Sequence, residues 1–215
     1  MPNQPLVRLV DDDTDFRRSQ ELFLGMSGFD VRGFGSAREL LEEDDFRRPG
    51  CLVLDIRMPV MTGLELQQAL VDRGVTRDLP VIFLTGHGDL QAAVHTFKNG
   101  AFDFIEKKGD PLRLKEAVEK ACVFSVAAYE RADVVRRKRA AFDALTEREK
   151  DVLVPAARGK TNKEIAAALG IGVETVKMHR ANAFGKLGLQ GALEAYRWLE
   201  GLNGPGVDER KEASE

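Results

Sequence analysis

Residues 51–59 read Cys-Leu-Val-Leu-Asp-Ile-Arg-Met-Pro, four apolar residues, a carboxylate at Asp55 and then a loop. A run this short and continuously apolar predicts a strand at the centre of a sheet covered by helices on both faces, because a half-exposed strand would alternate apolar with polar. Working outward, short β-branched or leucine-rich runs recur at 6–10, 30–33, 81–84 and 102–106, separated by helix-length amphipathic stretches. Five such units predict an α/β fold, a doubly wound five-stranded parallel sheet. Helix starts are marked by the pairs Ser36 with Glu39 and Thr62 with Glu65, spaced as capping boxes, and by Asp110 before Pro111.

In such a sheet, sites belong at the carboxyl ends of the strands. There the first strand runs into Asp11-Asp12-Asp13, the third into Asp55, the fourth into Thr85 and the fifth into the neighbourhood of Lys107. A lone acidic run after a strand reads as a helix N-cap. The ordered combination says more. Carboxylates of Asp11, Asp12 and Asp55 on one rim repel each other unless a cation sits among them, and hard oxygen donors suit Mg²⁺. With the ion present, a carboxylate can act as nucleophile on a phosphoryl group, the Lys107 ammonium neutralising charge and the Thr85 hydroxyl bonding a phosphoryl oxygen. Cys51 and Phe83, on the strands, read as core.

The chain has 215 residues, 43% hydrophobic and 31% charged, a globular ratio with room for more than one domain. Its net charge of −3 is unevenly spread: −5 over 1–128, +3 over 129–139, +1 over 140–200 and −2 over 201–215. A polyanion-binding surface is therefore expected in the second half. Cys51 and Cys122 lie 71 positions apart with no CxxC and no histidine cluster, so neither a disulfide framework nor a zinc site is expected. No apolar run approaches the roughly 18 residues of a membrane helix, and the start lacks a signal-like segment. A cytoplasmic protein with no membrane partner is expected.

From Pro111 the helical pattern runs through Ala128 and the charged segment to Ala140 without Gly or Pro, which predicts one long linking helix with Arg136-Arg-Lys-Arg139 solvated. The second module begins at Leu145, with capping-box spacings at Thr146/Glu149 and Thr161/Glu164. Four helices are predicted, at about 147–158, 162–169, 173–187 and 191–199, and Gly170-Ile171-Gly172 is the short turn of a helix-turn-helix. Pro155 is expected to kink the first of them. On the 173–187 helix, Val176, Ala183 and Leu187 share one face, with His179 at its edge; Glu174, Lys177, Met178 and Ala181 share the opposite face. That outer face suits a major groove, while Thr161, Asn162 and Lys163 at a helix start suit a phosphate. The resulting division is 1–124, a linker helix 125–142, a four-helix module 143–202, and a Gly-rich, charged tail 203–215 expected to be disordered.

Quoted as they stand, Val10-Asp-Asp-Asp13, Leu54-Asp-Ile-Arg-Met-Pro59, Leu84-Thr-Gly-His-Gly-Asp89 and Phe104-Ile-Glu-Lys107 resemble the receiver domains of two-component response regulators, over about residues 5–124. Leu145-Thr-Glu-Arg-Glu149, Thr161-Asn-Lys-Glu-Ile-Ala166, Thr175-Val-Lys-Met-His179 and Lys186-Leu187 resemble the LuxR-type helix-turn-helix. Together they resemble the FixJ/NarL class of transcriptional regulators, with the Thr-Gly-His-Gly-Asp stretch and the long linker leaning towards FixJ. The resemblance implies that Asp55 accepts phosphate from a sensor histidine kinase. It implies Mg²⁺ held by Asp12, Asp55 and the Arg57 main-chain carbonyl, with Asp11 acting through a water or as a further ligand. Thr85 and Phe104 would form a switch pair. Double-stranded DNA would be met through Thr161, Asn162, Lys163, Thr175, Lys177, Met178 and Ala181, with a homodimer formed on phosphorylation, and the chain would catalyse only its own phosphorylation and dephosphorylation.

Two alternatives stand beside this reading. A Mg²⁺-dependent phosphatase would use Asp55 in an Asp-x-Asp pair, yet position 57 is Arg, which does not release a proton at neutral pH. A receiver acting through protein contacts alone would need no DNA. Departures from the family pattern are Lys107-Lys108-Gly109 where Lys-Pro, often cis, is usual; Gly172 where a capping Ser is common; and Ala183 where a bulky residue is common. A non-proline cis bond costs about 2.5–4 kcal/mol, so a trans turn with a less firmly placed Lys107 is expected. The other two departures predict a less well tethered recognition helix.

Overall fold

A computed structural model describes residues 4–86 and 100–202. The chain divides into two compact units, residues 1–130 and 131–215. In the first, β1 (Leu6–Val10), α1 (Thr14–Met26), β2 (Asp30–Phe34), α2 (Ala37–Glu43), β3 (Gly50–Asp55) and α3 (Gly63–Asp72) are followed by a 3-10 turn (Val75–Arg77), β4 (Val81–Thr85) and β5 (Asp103–Glu106). Helix α4 (Pro111–Asp143) starts in this unit and ends in the second. The sheet order is β2-β1-β3-β4-β5, and its five strands are all parallel, the part that the apolar runs predict.

Both faces of the sheet are covered. Val7, Leu9, Cys51, Val53, Ile82 and Leu84 pack against Leu114, Val118, Ala121 and Cys122 of α4. The alternate residues Val10, Leu52, Leu54 and Phe83 pack against Leu40, Leu66 and Leu70 of α2 and α3. Strand ends differ from the sequence reading in one informative way: β3 and β4 include Asp55 and Thr85, and β2 runs on to Phe34. Apolar content stops one residue before the ladder does, because Asp55 still pairs with Leu84 and Thr85 with Glu106. At the other end of the sheet, β5 begins at Asp103 rather than at residue 102. The helix expected between β4 and β5 falls largely outside the described residues.

Thr62 and Glu65 close a full capping box, each side chain meeting the other's backbone N–H. The Ser36/Glu39 expectation needs correction. Ser36 does accept from the Glu39 N–H, but the Glu39 carboxylate accepts from the Gly35 N–H at 2.6 Å, one residue further out. Arg8, in the middle of β1, is fully buried. Its Nε donates to Asp44 at 2.7 Å and its Nη2 to the Arg48 carbonyl at 3.1 Å, so its charge is matched where water is excluded.

The second unit holds the end of α4, then α5 (Glu147–Ala157), α6 (Asn162–Leu169), α7 (Val173–Leu187) and α8 (Ala192–Glu200). Its core joins Val152, Leu153 and Ala156 of α5 to Ile165 of α6, Val176, Ala183 and Phe184 of α7, and Ala195 of α8. Ala183 is fully buried, and the ring beside it at Phe184 supplies bulk that the Val176/Ala183/Leu187 face did not include. Pro155 lies inside α5, which ends two residues later at Ala157, so the hydrogen bond that Pro cannot donate is lost in the last turn. Arg136, Arg137 and Arg139 are exposed as expected; Lys138 is half-buried, with its Nζ 5.9 Å from the Trp198 ring centre.

Helix α7 starts at Gly172 with no side-chain cap, as the sequence implies. Its other end is anchored. Lys186 Nζ lies 2.8 Å from the carboxylate of buried Glu149, whose other partner is the Thr146 backbone N–H at the start of α5. The Lys186 ammonium first, and the Thr146 N–H next, hold the Glu149 carboxyl below its usual value of about 4.5. A carboxyl with a lower value folded than unfolded contributes stability that is present above the unfolded value and lost as pH falls through the folded one. Glu149→Gln is therefore predicted to lower the thermal midpoint of the second unit at neutral pH and to flatten its decline below about pH 4.5. Parallel acid limbs for the variant and wild type, followed by circular dichroism, would contradict this.

Candidate functional site

The parallel register sets Val10 beside Leu54 and Asp55 beside Leu84, so the residues that end β1, β3 and β4 emerge on one rim. The acidic run there divides its labour. Asp13 caps α1, accepting from the N–H groups of Asp15 and Phe16 at 3.0 Å each. Asp11 turns inward, its Oδ1 accepting from the Asp13 N–H at 3.0 Å, while Asp12 is exposed. Asp55 accepts from the Arg57 N–H at 3.3 Å. Close approach of the following loop depends on Gly63: a Cβ there would lie 2.1 Å from the Asp55 carbonyl oxygen.

Lys107 completes the rim. Its N–H donates to the Thr85 carbonyl at 2.8 Å, and its Nζ lies 2.8 Å from Asp11 Oδ2 and 2.8 Å from Asp55 Oδ2. The Phe16 ring centre is 4.9 Å from the same ammonium. The Lys107–Lys108 peptide is trans, as expected. Without a proline after it, Lys107 still reaches two carboxylates and makes a strand-end hydrogen bond.

Burial pushes the Asp11 carboxyl up, against the opposing pull of Lys107 and the Asp13 N–H. Burial also disfavours the Lys107 ammonium, but its two carboxylate partners outweigh that and the ammonium is held more tightly than usual. Carboxylate oxygens of Asp11, Asp12 and Asp55 lie within 4.8 Å of one another. Among the described residues, buried Asp11 Oδ2 has the ammonium beside it but no well-directed hydrogen bond. Among the described residues, three carboxylates with hard oxygen donors face the one Lys107 ammonium, a set that fits a divalent cation such as Mg²⁺.

Thr85 is buried at the end of β4, its hydroxyl donating to the Gly86 carbonyl at 2.7 Å. Phe104 is half-buried on β5, in register with Phe83. Arg57 is exposed in the loop after Asp55.

In the second unit, Thr175, Lys177, Met178 and Ala181 are all exposed along α7, and Lys177 Nζ pairs with Glu174 at 2.7 Å. The triplet at the start of α6 divides three ways. The Thr161 hydroxyl accepts from the Glu164 N–H at 3.3 Å and donates to the Glu164 carboxylate at 2.8 Å, so it is engaged in the capping box. Asn162 accepts from Arg180 Nη1 at 2.9 Å, tying α6 to α7, and Lys163 is exposed. Arg180 was missed in the sequence, although it stands four positions before Phe184, whose ring centre lies 5.2 Å from its guanidinium. His179 is half-buried, at the edge of the inner face. Among the described residues, no helix is long and apolar enough to cross a membrane.

The family described as response regulator receiver domain matches residues 7–119, and the family described as bacterial regulatory proteins, luxR family, matches residues 143–199. The transcriptional regulatory protein TdiR of Thauera aromatica is 40% identical, over 87% of this chain and 82% of its own length. The transcriptional regulatory protein FixJ of Rhizobium meliloti is 41% identical, over 84% and 88%. Among solved structures, the response regulator StyR superposes with a TM-score of 0.84 at 35% identity, over 92% of this chain and 99% of that one. Rim and helix-turn-helix thus sit in the two matched regions, and the chain belongs to the response regulators that join a receiver domain to a LuxR-type DNA-binding domain, as a phosphorylation-controlled regulator of transcription.

Proposed function

We propose that Asp55 is the phosphoacceptor, that a sensor histidine kinase supplies the phosphoryl group from a phosphohistidine, and that the modified chain binds double-stranded DNA as a homodimer through α7. The observation that carries the first part is the Lys107 ammonium, 2.8 Å from both Asp11 and Asp55. An Asp55 oxygen attacks phosphorus in line with the leaving imidazole, and Lys107 neutralises charge on the transferring oxygens. Asp11, Asp12, Asp55 and the Arg57 carbonyl would hold Mg²⁺, which when bound supplies further neutralisation of that charge. Once Asp55 carries a phosphoryl group, the Thr85 hydroxyl exchanges the Gly86 carbonyl for a phosphoryl oxygen, and Phe104 moves into the space beside it. This division keeps 1–124 as receiver, 125–142 as linker, 143–202 as the DNA-binding module and 203–215, outside the described residues, as tail. The protein acts in the cytoplasm, where both kinase and DNA are met.

Two identical modules on two half-sites gain affinity together because the second contact becomes intramolecular. Within each, Lys177 exchanges Glu174 for a base edge. Thr175, Met178 and Ala181 flank it, and Lys163 meets a phosphate. Thr161 and Asn162, whose side chains are already engaged, act through the backbone N–H groups of the helix start and by fixing α6 against α7.

Incubation with acetyl phosphate and Mg²⁺ is predicted to add one phosphoryl group to the wild type and none to Asp55→Asn, and chelation with EDTA should abolish the wild-type reaction. Equal incorporation in the variant would overturn the assignment. Lys177→Ala is predicted to weaken a selected site more than random DNA, by about 1–3 kcal/mol of discrimination. Lys163→Ala should weaken both alike and reduce the salt slope by about one. Equal losses on specific and random DNA for Lys177→Ala, measured by fluorescence anisotropy, would contradict the docking of α7.

A further inference from the structure

Cys51 and Cys122 are distant in sequence, yet their sulfurs lie 4.0 Å apart in the core of the first unit. Cys51 is the second residue of β3, paired with Val7, and is sealed from solvent. Cys122, on α4, also lines an apolar groove of about 430 Å³ with Pro5, Phe29, Val123 and Val126. Glu119 and Glu130 stand on the groove as well. One turn beyond Cys122, Ser125 already ties the same two elements together: its hydroxyl accepts from the Gly50 N–H at 3.0 Å and donates to the Asp78 carbonyl at 2.6 Å. The backbone positions that carry the sulfurs are therefore held next to each other.

The two thiols are not equivalent. The contact with Cys122, followed by burial, pushes the Cys51 thiol well up, whereas the contact with Cys51 draws the Cys122 thiol down against its own burial. The charge of Arg8 favours the thiolate of both. Of the two residues, Cys51 is fully buried and Cys122 is the one that lines the groove. Its reaction partner must be neutral and apolar, because the lining is hydrocarbon and the two glutamates repel anions.

We propose that Cys122 and Cys51 form an oxidisable dithiol in the receiver core, with a neutral organic hydroperoxide as oxidant and a β3–α4 disulfide as product. The Cys122 thiolate attacks the terminal peroxide oxygen, forming an S–O bond as the O–O bond breaks; the alkoxide leaving group takes a proton and departs as the alcohol. The Cys51 thiol then attacks the Cys122 sulfur, forming the S–S bond, and its proton leaves with the displaced hydroxide as water. Two electrons pass from the two sulfurs to the peroxide. The product links α4 to the strand that ends in Asp55, closing the 71-residue separation between the cysteines into a covalent loop.

Full-length protein treated with cumene hydroperoxide, then denatured, alkylated and weighed, tests this. Wild type should lose about 2 Da and both alkylatable thiols without forming a covalent dimer, and reductant should restore them. Cys51→Ala should stop at a sulfenic acid on Cys122 that dimedone traps, and Cys122→Ala should leave Cys51 unmodified. Val126→Trp, which fills the groove one helical turn from Cys122, should slow the wild-type reaction by at least about threefold while leaving the circular dichroism unchanged. Thiols that stay alkylatable in oxidised wild type would overturn the proposal, as would a Cys51 that reacts equally fast in Cys122→Ala. The wild-type mass shift decides the matter even where a variant folds poorly.

Discussion

The receiver depends on one electrostatic arrangement: like charges forced together at the ends of parallel strands and held by the Lys107 ammonium. A parallel sheet delivers the carboxyl ends of β1 and β3 to the same rim, and in this chain both ends carry carboxylates. Two such groups at short range raise each other's energy unless a cation intervenes. Lys107, reaching both Asp11 and Asp55 at 2.8 Å, is that cation within the chain. It faces three carboxylates, so the rim offers negative charge that a divalent ion can match. On the proposed phosphorylation of Asp55, the contacts that Lys107 and the Arg57 N–H make with its carboxylate would have to rearrange.

The second unit solves a different problem. A small helical module must hold one helix outward while burying enough of it to fix its orientation. Helix α7 gives Val176, Ala183 and Phe184 to the core and leaves Thr175, Lys177, Met178 and Ala181 to solvent. Its uncapped start at Gly172 is offset elsewhere along the helix, by Arg180 on Asn162 and by Lys186 on Glu149. The outward residues are thus presented from a helix fixed by polar ties on the inner side. Lys177, already paired with Glu174, is exposed on that side.

Much of this was legible in the sequence because it is local. Apolar runs followed by Asp, Asp, Thr and Lys in strand order name the sheet and its rim, and capping pairs at Thr62, Thr146 and Thr161 name helix starts to the residue. What was not legible depends on partners far along the chain. Leu-Val-Arg-Leu-Val reads as a strand, but nothing in it says that Arg8 will be buried, because Asp44 lies 36 positions away. The contacts of Lys107 are likewise with carboxylates 96 and 52 positions away, which the missing proline beside it does not reveal. The sulfur pair escaped for the same reason: cysteine spacing reports motifs along the chain, while Cys51 and Cys122 meet only because α4 packs on β3.

The central claim is that charge at Asp55 governs binding at α7. The most direct measurement is the affinity of the full chain for a DNA site selected from random fragments, with Mg²⁺ present and with or without beryllofluoride as a phosphoryl mimic. The account predicts at least about tenfold tighter binding with the mimic, close to 1.4 kcal/mol of coupling. Equal affinities, with occupancy at Asp55 verified by fluorine NMR, would contradict it.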